Sequence, residues 1–382
     1  MLPYAVTFII SIIGAIIIDI NTKKDTKKGN RISMIIFIFI SIVLSLLAAL
    51  RDPKIGVDAN TYVIPLFKWA SGSDFASFLS NGGAEKGFLL LTWIISKLFN
   101  DYKILLFVIE FIITLGILGI GFKYRKKISY TILVVIFLLY IYTNTYTMMR
   151  QFIALVFVCV SYIEIYNKNY IKGVIYFGMA LLFHYTSIIA CVGFLFIIIN
   201  NSGIRKKSLV NFFILFIIMI TMIFYKEITY LFTHGISILP VKYYEYFTSK
   251  YYLDEGNISL FKLLFKLATI GIVWLYYKTK DNKERNIIIS FFIIDFIIFI
   301  ASSKLLPLLR LSYFFSYPAI LYAFPKMIKD YDIINHKRTK RLLVVCTIGL
   351  MLLYWGIEVV RIGTGKRNGG NTYPYVFYEG EK

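Results

Sequence analysis

ISMIIFIFISIVLSLLAALRDPKIGVDANTY, residues 32–62, holds the decision about the fold. Residues 32–50 carry no charge and, as a helix, reach across a bilayer core of about 30 Å. The chain then changes character at once: RDPKIGVDANTY, residues 51–62, sets Arg51, Asp52, Asp58 and Tyr62 around Pro53 and Gly56. An apolar span delivers a polar cluster to one membrane face, and the rest of the sequence is read outward from that junction.

Apolar runs of similar length recur along all 382 residues, of which 58% are hydrophobic and 16% charged, with mean hydropathy +0.71. So much apolar surface does not fit inside one or two soluble cores. An outer-membrane barrel would show shorter segments of alternating polarity. The expectation is an all-α, polytopic integral membrane protein forming one membrane domain over 1–382. Residues 2–20 lack a basic stretch before them and a small-residue cleavage site after them, so they are read as the first membrane helix. Cys159, Cys191 and Cys346 lie in apolar segments without metal-ligand spacing and are read as packing residues. The heavy use of Ile, Lys, Asn and Tyr fits an AT-rich bacterial genome.

The net charge of +21 comes from short basic clusters between apolar runs. That pattern sets membrane orientation and is not a nucleic-acid recognition module. Lys23, Lys24, Lys27, Lys28 and Arg31 mark an inner loop, so residues 51–62 emerge outside. Residues 88–99 make a helix of only about 18 Å, too short to cross, and are read as re-entrant or interfacial. Lys123, Arg125, Lys126 and Lys127 are then inside. Residues 148–166 run inward, which puts Arg150 and Gln151 at an outer helix end. Basic residues on both sides of 173–200 require an even number of crossings, met by two short helices that join near His184.

Further along, residues 226–259 form an outer loop with His234, Glu245, Asp254 and Glu255, and 326–341 a strongly basic inner loop. The tail, 361–382, is outside, and 51–103 is a long outer segment. About twelve crossings result, including the short ones. Glu110, Glu164 and Asp295 are costly in apolar helices and either mark an ion path or have partners; their scattered depths favour partners.

The candidate site residues return to one face. Arg51, Asp58, Tyr62, Glu85, Arg150, His184 and Arg310 all fall at outer helix ends or in outer segments, with Gln151, Ser187 and Tyr313 beside them. Asp58 and Tyr62 share a helical face, as do His184 with Ser187 and Arg310 with Tyr313. A guanidinium holds two phosphate oxygens and stays charged when poorly solvated. A carboxylate or imidazole takes a hydroxyl proton, and tyrosine rings offer flat faces to sugars. A lone arginine at a helix end is also what an interfacial anchor looks like, and a lone histidine what a packed, hydrogen-bonded one looks like; His234 is read that way.

These elements, in order, resemble the EpsG family of bacterial exopolysaccharide membrane proteins, related in role to Wzy-type O-antigen and capsule polymerases. The resemblance is carried by Arg51, Gly56, Asp58 and Tyr62, then Glu85 and Gly87, then Arg150-Gln151. Phe183-His184 with Ser187, Arg310 with Tyr313-Phe314, and Tyr373-Pro374-Tyr375 complete it. It implies a GT-C-like glycosyl polymerase in the cytoplasmic membrane, working at its outer face on repeat units carried by undecaprenyl diphosphate. No cofactor, metal or nucleotide sugar is implied. The implied partners are lipid-linked oligosaccharide, membrane lipid, and the flippase and chain-length regulator of the same route. Arg150 and Arg310 are expected to bind the donor diphosphate, Asp58 or His184 to accept the acceptor's proton, and Arg51 and Glu85 to order the site. Tyr62, Gln151, Ser187 and Tyr313 are expected to contact substrate. A ligase of the same chemistry, or a flippase, would share part of this pattern.

Overall fold

Among the described residues, helices lie over the stretches expected to cross the membrane. The computed structural model describes residues 1–202, 207–223, 259–277, 282–303, 308–333, 337–361 and 372–378; His234 and the rest of the expected outer loop 226–259 lie outside them. Among the described residues the secondary structure is helical, with no strand and one isolated antiparallel bridge, Arg51 to Phe377. Six helices of the described residues are long and apolar enough to span: Leu2–Lys24 (α1), Lys27–Ala49 (α2), Tyr102–Lys123, Met149–Tyr166, Leu260–Tyr277 and Lys337–Val360. Shorter apolar helices include Tyr130–Thr145, built of α7 (Tyr130–Ile136) and α8 (Tyr142–Thr145) joined by a π-helical turn, and Tyr170–Phe183.

The chain groups into two compact units: residues 1–161, 171–187 and 321–382 form the first, and 162–170 with 188–320 the second. In the first, α2 packs between α1 and α6 (Tyr102–Lys123). The two ends of α1 mark two faces of this unit. At one end Asp19 accepts hydrogen bonds from the backbone N–H groups of Tyr130 and Thr131, both 3.0 Å, and so caps the helix that follows. Asp25 pairs with Lys126 and Asn30 with Arg125 nearby. At the other end the Tyr4 hydroxyl donates to the Thr372 carbonyl at 2.7 Å. The basic clusters at 23–31 and 123–127 thus share one end of this unit, and residues 50–52 with 372–378 share the other.

Residues 51–101 are more ordered than a Gly- and Ser-punctuated loop. A π-helical turn, Ala59–Val63, leads into α3 (Ile64–Gly72), then α4 (Phe75–Asn81) and α5 (Lys86–Leu98). Asp74 caps α4 by accepting from the Ser77 N–H at 2.8 Å. Ala70, Phe78 and Leu89 bury a small core between the three helices, with Leu66, Leu79 and Trp93 packed on it. On α5, Leu90, Ile94 and Leu98 stay exposed at four-residue spacing, which leaves an apolar stripe along the short helix.

Gly56 turns the chain between α2 and the π-helical turn. Its φ is +83°, and a Cβ there would stand 2.5 Å from the Tyr146 carbonyl oxygen. Backbone strain and steric contact act together, so Gly56→Ala is expected to lower stability by about 1–3 kcal/mol. A thermal melt of the purified variant that matches the parent would contradict this.

In the second unit Leu260–Tyr277 packs on the helix Asn282–Ala301. Asp295 accepts from Lys266 Nζ with both oxygens, at 2.6 and 2.5 Å. Glu110 likewise accepts from the Thr145 hydroxyl at 2.8 Å, and Glu164 from the Asn169 amide at 2.9 Å. The three intramembrane acids therefore have partners, as their scattered depths indicated. The helix Leu308–Ile333 runs past Lys326, where a basic loop was expected; Lys326 pairs with Asp330 one turn on at 2.7 Å, a spacing that supports helix.

Candidate active site

Asp58 and Tyr62 begin the site. The π-helical turn brings the Tyr62 hydroxyl onto Asp58 Oδ2, to which it donates. The same oxygen accepts the Met149 N–H at 2.9 Å. Met149 opens α9 (Met149–Tyr166), and the first N–H groups of a helix have no partner within it. A carboxylate there satisfies one of them and faces the positive end of the helix dipole. Asp58 therefore sets where α9 starts, and with it the place of Arg150.

The Arg150 guanidinium lies over the Tyr62 ring, 4.3 Å from its centroid, and 5.9 Å from that of Phe88. Burial, with the Asp58 carboxylate adding to it, holds the Tyr62 phenol well above its usual range, so it stays a neutral donor. Arg150 Nη1 is 2.5 Å from Glu85 Oε2. Arg150 Nε is buried and has no hydrogen-bond partner among the described residues.

Glu85 is the centre of the cluster. It stands at the start of α5, and only 3% of its side chain is exposed. Its second oxygen, Oε1, lies 3.0 Å from His184 Nδ1. His184 sits where α10 (Tyr170–Phe183) ends and a 3-10 turn, Tyr185–Ile189, begins. The junction near His184 is where two short helices were expected to meet. Gly87 lets the two elements approach, since a Cβ on it would be 2.7 Å from the Leu182 carbonyl oxygen. Burial alone would raise the Glu85 carboxyl, but the His184 hydrogen bond and the Arg150 charge outweigh it and hold the pKa at about 2. A lowered carboxylate pKa stabilises the fold above the unfolded value, about 4.5, and that contribution fades as pH falls towards about 2.

The other expected residues divide. Arg51 is 1% exposed and turned into the chain. Its Nε donates to the Ile55 carbonyl at 3.0 Å, its Nη1 to that of Ala48, and its guanidinium covers the Tyr146 ring at 4.2 Å. It shapes the segment that carries Asp58. Gln151 is buried beside Arg150 on α9. The Ser187 hydroxyl donates to the His184 carbonyl at 2.7 Å and so serves the turn. Arg310 and Tyr313 belong to the second unit, where Arg310 is exposed and the Tyr313 ring stacks on Tyr317 at 4.7 Å. Phe88, Tyr146 and the Met149 N–H were not singled out from sequence. The first two are ordinary aromatics in apolar surroundings, and the third is a backbone group. Among the described residues no cluster of three or more His, Cys, Asp or Glu could hold a metal ion.

Long apolar helices with a buried acid between arginine and histidine define a helical membrane protein with an ionic site built from distant segments. The family comparison is more specific: the chain belongs to the EpsG family, whose model matches residues 34–377, and membership points to a polysaccharide-polymerase-type membrane protein. Neither the curated proteins nor the solved structures contain a match.

Proposed function

We propose that this protein is a glycosyltransferase that polymerises lipid-linked repeat units at the outer face of the bacterial cytoplasmic membrane. One observation carries the reading: Arg150 is locked by Glu85 and Tyr62 yet keeps a buried Nε without a partner among the described residues. Such a donor calls for an oxyanion, and the side-on edge of a guanidinium, Nε with Nη2, binds two phosphate oxygens at once.

The reaction then balances simply. The acceptor's sugar hydroxyl attacks the anomeric carbon of the donor glycan, and the bond from that carbon to the undecaprenyl diphosphate oxygen breaks. The diphosphate leaves with the electron pair and its charge is met by Arg150. The hydroxyl proton goes to His184. Glu85 on Nδ1 fixes the tautomer in which Nε2 carries the lone pair. Of the two candidate bases His184 is favoured, because Asp58 Oδ2 already accepts from Tyr62 and Met149. About twelve crossings in one membrane domain, of GT-C-like architecture, complete the proposal. The flippase and chain-length regulator of the same route are its proposed partners.

Arg150→Ala is expected to reduce long-chain polymer on the order of 10²–10³-fold at unchanged protein level in the membrane. Arg150→Lys keeps the charge but not the fork, and is expected to recover little. The test is the glycan size distribution in a deletion strain carrying each variant. Wild-type chain lengths with Arg150→Ala would end the proposal, and full polymers retained on the carrier would point to a ligase instead.

A further inference from the structure

Residues 372–378 are laid along the end of α2. The last carbonyls of a helix have no partner within it, and at a membrane face they need one. Here Leu47 and Leu50 offer such carbonyls. The Tyr375 hydroxyl donates to that of Leu47 at 2.7 Å, and the Tyr378 N–H to that of Leu50 at 3.1 Å. The Asp52 N–H donates back to the Val376 carbonyl at 2.9 Å, which closes the antiparallel bridge between Arg51 and Phe377. Tyr4 holds the near end of the segment through Thr372, and Lys103 covers the Tyr378 ring at 4.3 Å.

What is held matters more than the holding. Arg51, fixed in this bridge, covers the Tyr146 ring; Gly56 lies against the Tyr146 carbonyl; Asp58 takes the Met149 N–H. Each contact passes from the segment after α2 to the turn that launches α9, and Arg150 is the second residue of α9.

We infer that residues 372–378 are a positioning strap: they cap α2 and thereby fix residues 51–58 against the start of α9, which aims Arg150. The strap is a feature of the fold; its effect on catalysis rests on the polymerase reading above. Tyr375 and Tyr378 are positioning residues and touch no substrate.

Two measurements test this. Positions 50 and 378 are opposed beside the bridge and joined by the Tyr378 N–H to Leu50 carbonyl hydrogen bond, and opposed positions of an antiparallel pair lie about 5.5 Å apart, within the reach of a disulfide. Leu50→Cys combined with Tyr378→Cys should therefore crosslink under mild oxidation, and neither single variant should. Tyr378→Pro removes the backbone donor, whereas Tyr378→Ala keeps it and loses only the ring. At equal protein level in the membrane, the Pro variant should give on the order of 10-fold less long-chain polymer than the Ala variant. It should also make a cysteine at buried position 59 (Ala59→Cys) react with a maleimide that the Ala variant excludes. Absence of the crosslink, or equal labelling of the two variants, overturns the strap. Labelling that rises while polymer yield stays equal overturns its link to the site. If the parent makes no polymer but crosslink and labelling behave as stated, the polymerase reading fails and the strap stands.

Discussion

Glu85→Ala is expected to abolish long-chain polymer as fully as Arg150→Ala, although Glu85 has no direct part in the proposed chemistry. Both of its oxygens are engaged, one by Arg150 at 2.5 Å and the other by His184 at 3.0 Å. Removing it leaves a guanidinium buried without its counter-charge, which costs about 3–5 kcal/mol in comparable buried pairs. The same change frees the His184 ring, so the proposed base loses its orientation while the diphosphate ligand loses its anchor. Because the two act as a unit, Glu85→Ala with Arg150→Ala should be little worse than either alone. Glu85→Gln should keep the shape but not the charge, and fall between parent and Ala in thermal stability. The pH profile adds an independent check. With its pKa held at about 2, Glu85 stays ionised across the physiological range, so a loss of turnover between pH 7 and 5 must come from another group. Near-parental chain lengths from Glu85→Ala would remove the cluster from the reaction.

The helical plan was legible because membranes allow few solutions. Charge placement demanded an even number of crossings between 173 and 200, and a break near His184 was the arrangement that met it; the structure has helices Tyr170–Phe183 and Ala190–Asn201 on either side. Spacing also carried Asp58 onto Tyr62, where the four-residue separation survives as a hydrogen bond across a π-helical turn. Pairing was another matter. Arg150 and Glu85 are 65 residues apart and His184 and Glu85 99 apart. Nothing local states which acid an arginine will choose over such distances; packing of α5 against α10 decides it. The inward turn of Arg51 was hidden for the same reason, since a charged residue after an apolar span reads as an outer-face group. Its partners, two carbonyls and the face of Tyr146, have no sequence signature. The helices within 51–101 do have local signals in the sequence: Asp74 is a cap residue one position before α4, and Pro65 sits in the first turn of α3, where proline is tolerated.

Lys266→Ala or Asp295→Ala is expected to be the most destabilising change in the second unit. Lys266 Nζ meets both Asp295 oxygens, and the two side chains are 8% and 4% exposed. Losing one partner strands a full charge among apolar side chains, at a cost of about 3–5 kcal/mol. Losing both removes the desolvation penalty as well, so Lys266→Met with Asp295→Leu should melt close to the parent protein. Thermal melts of the purified variants in one detergent decide this, and a double variant as unstable as the singles would contradict it. The same pair separates two roles that sequence left open for Asp295. A pin between two helices can be replaced by apolar packing, so the double variant should keep normal chain lengths. An ion path cannot, because protons or cations need the ionisable groups themselves. If the double variant melts like the parent yet makes no polymer, the pair belongs to the activity; parental melting and parental chain length together make it a structural pin.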